Sequence, residues 1–310
     1  MKIEGDYMDI RQLKYFLTIV DEGSISKAAN KLHMTQPPLS QKLKLLEDEL
    51  GVSLLERTTK KLVMTEAGRL LYDRAQDIME RLNGTAEEIK ELSEGITGTL
   101  TIGTIASLGS ELLLKGIQHF QKHYPNVTFQ VHEGDPNRIM ELSKNRDVEL
   151  GIVRLPVDSD VFDMIHLPSE PMYAAMNHKW NETSQCDITL SQLKDKPLLL
   201  LKRYPGTSTY NQKMYTMEMV KEACNKAGFN PHIIGESTSL TMLLNWAYHG
   251  IGVVIVPKSA MNVLPTSELV YKKITHPSIE SRPSGLIWLK HRHLSTPAKR
   301  FIDYIASTTF

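Results

Sequence analysis

Little in this sequence suits an oxidising compartment or a membrane. Two cysteines, Cys186 and Cys224, are too few for a disulfide framework, so both read as reduced thiols. Nowhere does the chain approach the roughly 20 consecutive apolar residues of a membrane span. The first thirty residues carry charges throughout and hold no apolar signal core. Charge of one sign is missing too: 36 Lys+Arg balance 36 Asp+Glu. A protein that coats nucleic acid by bulk charge would be basic, so any DNA binding here must rest on local geometry. What remains is 310 residues, 41% hydrophobic and 23% charged, which predicts a cytoplasmic globular protein of two or three domains.

Residues 1–7 read as an extension, and the helical pattern begins after Met8. Leu13, Phe16, Leu17 and Val20 recur at helical spacing over residues 10–22, and Gly23 stops the run. Ser24 or Ser26 caps a second short helix through Leu32 with Ala28 and Ala29 in its middle. A third helix opens after Thr35 with Gln36, Pro37 and Pro38. Proline is tolerated there because the first N–H groups of a helix have no internal partner. Winding it at 3.6 residues per turn puts Leu39, Leu43, Leu46 and Leu50 on one face. Gln36, Pro37, Ser40, Gln41 and Lys44 fall on another. Two apolar runs, Leu54-Leu55 and Leu62-Val63-Met64, flank Arg57-Thr58-Thr59-Lys60-Lys61 and predict a hairpin with a basic tip. Thr65 then caps a long helix in which Leu71, Ala75, Ile78, Leu82, Ile89 and Leu92 form a heptad seam. An isolated seam of that length favours a partner, with Leu71, Ile78, Leu82 and Ile89 as the dimerisation residues.

After Gly98 strand-like runs alternate with helical ones. The strands are Thr99–Gly103, Val127–Glu133, Val148–Val153, Leu198–Leu201, His232–Gly235, Val253–Val256 and Gly285–Lys290. The helices are 109–123, 136–145, 209–227, 239–249 and 297–307. Such alternation predicts an α/β architecture with parallel strands.

Three short helices and a basic hairpin describe a winged helix-turn-helix, whose third helix enters the major groove. Gln36 and Gln41 suit adenine, Ser40 is permissive, and Pro37 can touch a thymine methyl. Lys42 and Lys44 suit phosphates, and Arg57 and Lys60 on the hairpin reach the minor groove or the backbone. Further along, the strand ending in Thr104-Ile105-Ala106-Ser107 runs into a helix, and a helix N-terminus beside hydroxyls suits an anion. A second such place follows Leu201, with Arg203, Thr207 and Ser208, and Arg154 sits just past a third strand. Ligands in open α/β sheets bind outside the carboxyl ends of strands. Two arginines and several hydroxyls there favour a small carboxylate.

The stretch from Met8 to Leu71 resembles the N-terminal domain of LysR-type transcriptional regulators. It carries the paired alanines, T-Q-P-x-x-S, L-E-x-x-L-G, E-R, and T-E-A-G opening the linker helix, with Leu55 where the family usually has phenylalanine. The rest fits the family's effector-binding domain more loosely. The resemblance implies winged domains paired on promoter DNA and a dimer or a tetramer built as a dimer of dimers. It also implies an effector domain of two α/β lobes, like a periplasmic binding protein. The expected division is 8–66 for the winged domain, 67–95 for the linker helix and 98–310 for the effector domain. Lobe I would take about 98–169 and 272–310, and lobe II about 170–271, with crossings near Pro168–Met172 and Val270–Lys273.

Catalytic patterns fare badly. Ser24–Lys27 and Ser191–Lys194 match S-x-x-K without its partner motifs. Gly206–Tyr210 begins like a nucleophile elbow but ends in tyrosine, and Gly250-Ile-Gly252 lacks the third glycine of a dinucleotide loop. His119 with His123, and His291 with His293, lack the companions of a metal site. The expectation is a regulator that is not an enzyme and needs no metal or cofactor. The alternative is a ligand-independent, architectural DNA-binding protein.

Overall fold

The computed structural model describes residues 8–57, 62–94, 96–182, 184–202, 216–279, 281 and 283–308. The chain divides into two compact units: Met1–Ser93 with His291–His293, and Glu94–Lys290 with Leu294–Phe310.

The first unit opens with α1 (Ile10–Glu22), held at its start by a capping box. Gln12 N–H donates to Asp9 Oδ1 (2.7 Å) while Asp9 N–H donates to Gln12 Oε1 (2.6 Å). Gly23 ends it in the left-handed region, φ 60°. Next come α2 (Ile25–Lys31) and α3 (Gln36–Leu50), with Thr35 as the N-cap of α3 and the prolines in its first turn. The core of the three helices is Phe16, Ile19, Ala28, Ala29, Leu39, Leu43, Leu46 and Leu54. Ile19 is fully buried, whereas Val20 is half-buried. Leu50, expected in the buried stripe of α3, is exposed, because the helix ends there and Gly51 turns the chain away at φ 69°. The hairpin pairs β1 (Leu55–Arg57) with β2 (Leu62–Met64), Glu56 facing Val63. Lys60 and the side chain of Arg57 lie outside the described residues.

The long helix α4 (Glu66–Glu94) follows. Its cap explains T-E-A-G. Gly68 N–H donates to Thr65 Oγ1 (3.0 Å), and the Thr65 hydroxyl donates in turn to Ser53 O (2.8 Å). A Cβ on Gly68 would sit 2.1 Å from the carbonyl oxygen of Leu54, so only glycine fits. L-E-x-x-L-G has a similar explanation. Glu47 Oε1 accepts from the N–H groups of Leu54 (2.8 Å) and Leu55 (3.2 Å), fixing the hairpin to α3.

The second unit contains two sheets. Its elements in chain order are β3 (Gly98–Thr104), α5 (Ala106–Leu108), a π-helical turn (Gly109–Leu113), α6 (Leu114–His123), β4 (Val127–Glu133) and α7 (Pro136–Lys144). Then come β5 (Leu150–Arg154), β6 (Phe162–Leu167), β7 (Met172–Asn177), β8 (Asp187–Ile188) and β9 (Leu198–Leu201). After these follow α8 (Thr216–Lys226), β10 (Ile233–Ser237), α9 (Leu240–Tyr248), β11 (Val253–Pro257) and a 3₁₀ turn (Lys258–Asn262). The last are β12 (Leu269–Ile274), β13 (Ser284–Leu289) and α10 (Thr296–Ser307).

The five-stranded sheet has the order β4-β3-β5-β13-β6, and the six-stranded sheet β10-β9-β11-β7-β12-β8. Neither is purely parallel, contrary to expectation. β13 runs antiparallel to β5 and β6, and β7 antiparallel to β11 and β12. β6, β7, β12 and the two-residue β8 are strands that the alternating pattern missed. The chain passes from the first sheet to the second between β6 and β7, and returns between β12 and β13. The return therefore falls after Ile274 rather than at Val270–Lys273, which lie inside β12. Lys272, inside that strand, is fully buried, and its ammonium donates to Gln185 O at 2.6 Å.

Candidate DNA-reading face and effector cleft

On the first unit, a groove of about 930 Å³ runs beside α3 toward the hairpin. Pro37, Ser40, Gln41 and Lys44 line it together with Asp48 and Leu62. Four of the expected DNA contacts therefore share one concave surface. Gln36 and Lys42 are exposed on the same helix outside that groove. The backbone reason is the start of α3: with Thr35 as cap, the leucines turn inward and the polar residues outward. Gln36 has a partner that the sequence reading missed, since the Ser26 hydroxyl donates to Gln36 Oε1 at 2.9 Å.

The seam on α4 splits in two. Ala75 is fully buried, and Leu71 packs partly against the helical core of its own domain. Ile78, Leu82 and Ile89 remain 41%, 44% and 65% exposed.

In the second unit, Thr104 and Ser107 are brought to the carboxyl end of β3 and the first turn of α5, and both are buried. The Thr104 hydroxyl lies 3.2 Å from Ile105 O. A Cβ on Gly109 would sit 2.9 Å from Thr104 Cγ2, so this helical segment approaches the strand end closely. The π-helical turn begins at that glycine, and such turns are frequent at functional sites. Ser110 Oγ is 2.9 Å from Ser107 O and 3.1 Å from Ser259 O, linking this segment to the 3₁₀ turn after β11.

Arg154, at the end of the neighbouring strand β5, does not stand open to a ligand as expected. Its side chain is only 10% exposed and Nη2 pairs with Glu170 Oε1 at 2.8 Å. Nη1 donates to Ser281 Oγ (3.1 Å) and Nη2 approaches Ser259 Oγ (3.4 Å). Glu170 Oε2 accepts from Ser259 N–H (2.6 Å), and the Glu170 backbone exchanges bonds with Ser281: its N–H to Ser281 Oγ (3.0 Å), its oxygen from Ser281 N–H (2.7 Å). Burial pulls the pKa of Arg154 below its usual value, and the carboxylate of Glu170 pushes it back up. Glu170 and Ser281 sit in the two connections between the sheets, so the arginine ties both connections together. No sequence signal marked Glu170, Ser259 or Ser281. Beside them a cavity of about 410 Å³ is lined by Leu108, Leu112, Lys115, Pro168, Glu170 and Lys258. Arg203, Thr207 and Ser208 lie outside the described residues.

Among the described residues no group of three His, Cys, Asp or Glu side chains is placed to hold a metal, and no helix is long and apolar enough to cross a membrane.

Comparison with known proteins agrees with these features. Residues 10–69 match the model of the bacterial regulatory helix-turn-helix proteins of the lysR family, and residues 93–309 match the LysR substrate binding domain. The HTH-type transcriptional regulator BsdA of Bacillus subtilis is 32% identical over 96% of this chain and 99% of its own. AlsR of the same organism, also an HTH-type transcriptional regulator, is 30% identical over 86% of each chain. Among solved structures, a full-length OxyR variant from Pseudomonas aeruginosa superposes with a TM-score of 0.64 at 25% identity, covering 97% of this chain and 94% of the other. The helix-turn-helix, the two-sheet binding domain and these relatives describe a DNA-binding regulator of transcription rather than an enzyme: the chain belongs to the LysR family.

Proposed function

We propose that this regulator reads its promoter through the first two turns of α3 and changes that contact when a small carboxylate enters the cleft between its two sheets. Residues 8–66 form the DNA-reading domain, 67–95 the dimerising helix, and the remainder the effector domain, its lobes joined through 168–171 and the segment between β12 and β13. Ser40 and Gln41 face base edges, with Pro37 against a methyl group, while Lys44 and Lys42 neutralise phosphates. Ile78, Leu82 and Ile89 cover one another across a helix pair, and a dimer of such dimers spans two half-sites.

One observation carries the effector reading: β3 ends directly in a helical segment whose first turn bears the buried Ser107, one strand away from the end of β5. A ligand held at the carboxyl ends of parallel strands meets N–H groups and hydroxyls there. Because Arg154 already carries Glu170, the cation for a carboxylate falls to Arg203, which Thr207 and Ser208 follow in the sequence.

The test is fluorescence anisotropy on the upstream region of the protein's own gene against a panel of small carboxylates, amines and neutral metabolites. A carboxylate that shifts affinity in the wild type but not in Arg203→Ala, with basal binding intact, supports the reading. By linkage the same carboxylate must bind more tightly or more weakly when DNA is present. A shift caused by a neutral compound or an amine and unchanged in Arg203→Ala overturns it.

A further inference from the structure

The exposed end of α2 touches the reading helix at one polar point, and that contact changes what Gln36 can recognise. A free glutamine amide offers a donor and an acceptor side by side, the pair that matches N6–H and N7 of adenine. In this structure the amide is not free. Ser26, in the first turn of α2, donates its hydroxyl to Gln36 Oε1 at 2.9 Å. Both residues are exposed, so the contact is made on the outer surface of the domain rather than in its core. Gln36 is the first residue of α3, the end that a helix-turn-helix presents to base edges.

We propose that Ser26 is a specificity-determining positioning residue: its hydroxyl turns the oxygen of the Gln36 amide toward α2 and leaves Nε2 to face the DNA. Gln36 then acts as a donor and selects a base that offers acceptors in the major groove, guanine through N7 and O6 or thymine through O4. Adenine also offers N7, but its neighbouring N6–H2 donor would face the donor of Gln36 unpaired, so it is disfavoured at that position. The proposal rests on the reading that α3 enters the major groove, and it reverses the adenine preference that glutamine alone suggests.

The geometry around the pair favours this role over a simple surface contact. Ala28 and Ala29, fully buried one turn beyond Ser26, bring α2 close against α3, which holds Leu39 in the same core. The distance between the two helix starts is therefore fixed by the core rather than by the polar bond. Neither the first turn of α2 nor that of α3 depends on the Ser26 hydroxyl for a cap: the N-cap positions are Ser24 and Thr35. Neither N-cap side chain makes a capping bond either, so removing the Ser26 hydroxyl takes no cap from either helix and frees only the amide.

The experiment selects preferred duplexes from a randomised pool with full-length wild type, Ser26→Ala, Ser26→Thr and Gln36→Ala. Direct binding to single-base variants of the selected site follows. Wild type is expected to prefer guanine or thymine at one position per half-site. In Ser26→Ala the discrimination against adenine there falls about tenfold, as the loss of one oriented base contact implies. Affinity for random duplex and its salt dependence stay unchanged, and Ser26→Thr restores the wild-type preference. If Ser26→Ala weakens specific and random DNA alike and flattens the salt dependence, the serine holds a phosphate and the proposal is wrong. It is wrong too if Gln36→Ala changes the preference at one position and Ser26→Ala does not. If Gln36→Ala changes no position, the underlying placement of the start of α3 at base edges fails, a separate outcome from either of these.

Discussion

Replacing Glu170 by alanine tests whether the knot between the two sheets is held as its geometry implies. The carboxylate is the counter-ion of an arginine that is only 10% exposed, at 2.8 Å, and it accepts the N–H of Ser259 at 2.6 Å. Alanine leaves the Arg154 cation without its partner and the N–H of Ser259 without its acceptor. Losing one partner of a buried pair costs about 3–5 kcal/mol, far more than the pair's net worth, because the remaining charge stays out of water. For a domain of this size each kcal/mol moves the melting temperature by about 2–4 °C, so a fall of about 6–20 °C is expected. Tryptophan fluorescence isolates the effect, since Trp180, Trp246 and Trp288 all lie in the second unit. Glu170→Gln removes the charge but keeps one acceptor oxygen, enough for one of the two contacts, and loses less. The double variant Arg154→Met, Glu170→Met removes both charges together and recovers most of the loss. A cost below about 1 kcal/mol for Glu170→Ala, or a double variant no better than the single one, refutes the assignment of a buried, mutually compensating pair.

The winged domain offers further tests. Glu47→Ala strands the N–H groups of Leu54 and Leu55 and is expected to cost about 1–3 kcal/mol in denaturant unfolding, with the hairpin amides losing exchange protection first. Gly68→Ala forces a Cβ to within 2.1 Å of the Leu54 oxygen. Destabilisation of about 1–3 kcal/mol or more is expected, despite alanine's better helix propensity. Lys44→Ala weakens specific and random duplex alike and reduces the salt slope of binding by about one, read by anisotropy at several salt concentrations. The thiol of Cys224 is pushed up to about 11 by burial, so at pH 7 almost none of it is thiolate. A thiol reagent therefore modifies exposed Cys186 promptly and reaches Cys224 only in denaturant; equal rates in the native chain count against the buried placement.

The winged domain was legible because most of its motif residues act on their own backbone neighbourhood. Thr35 and the prolines mark where α3 starts, Gly23 and Gly51 end helices with positive φ, and Thr65 caps α4. Each such duty spans a few residues, so spacing alone exposes it. Glu47 is different, because its partners are the N–H groups of Leu54 and Leu55 in the connection leading to the hairpin. A glutamate on an amphipathic helix reads as solvated until that connection is seen to fold back against it. Ser26 escaped for the same reason, since its hydroxyl acts on Gln36 in another helix. Leu71 shows the converse difficulty: it packs partly against the core of its own domain, and a heptad position does not tell such a contact from one to a partner helix.

In the second unit, what could be read from the sequence was whatever followed strand-helix alternation, and this covers the strands β3, β4, β5, β9, β10 and β11 together with β13, which proves antiparallel. The strands it missed are β6, β7, β12 and the two-residue β8; the first three flank the connections between the sheets and each pairs antiparallel to a neighbour, a role for which no helix need follow. Their composition hides them further. β7 carries buried Ala174 and Ala175, and β12 buries Lys272 against the carbonyl of Gln185. The same blindness hid the partners of Arg154. An arginine past a strand end looks like a ligand contact when its neighbours in sequence are the only ones visible. Its real partners come from distant parts of the chain: Glu170 from one connection, Ser281 from the other, Ser259 from the turn after β11. Local pattern pointed to the carboxyl ends of the strands, where the effector site is proposed. It could not separate groups that meet a ligand from groups that hold the two sheets together, because that distinction depends on which charge is already matched.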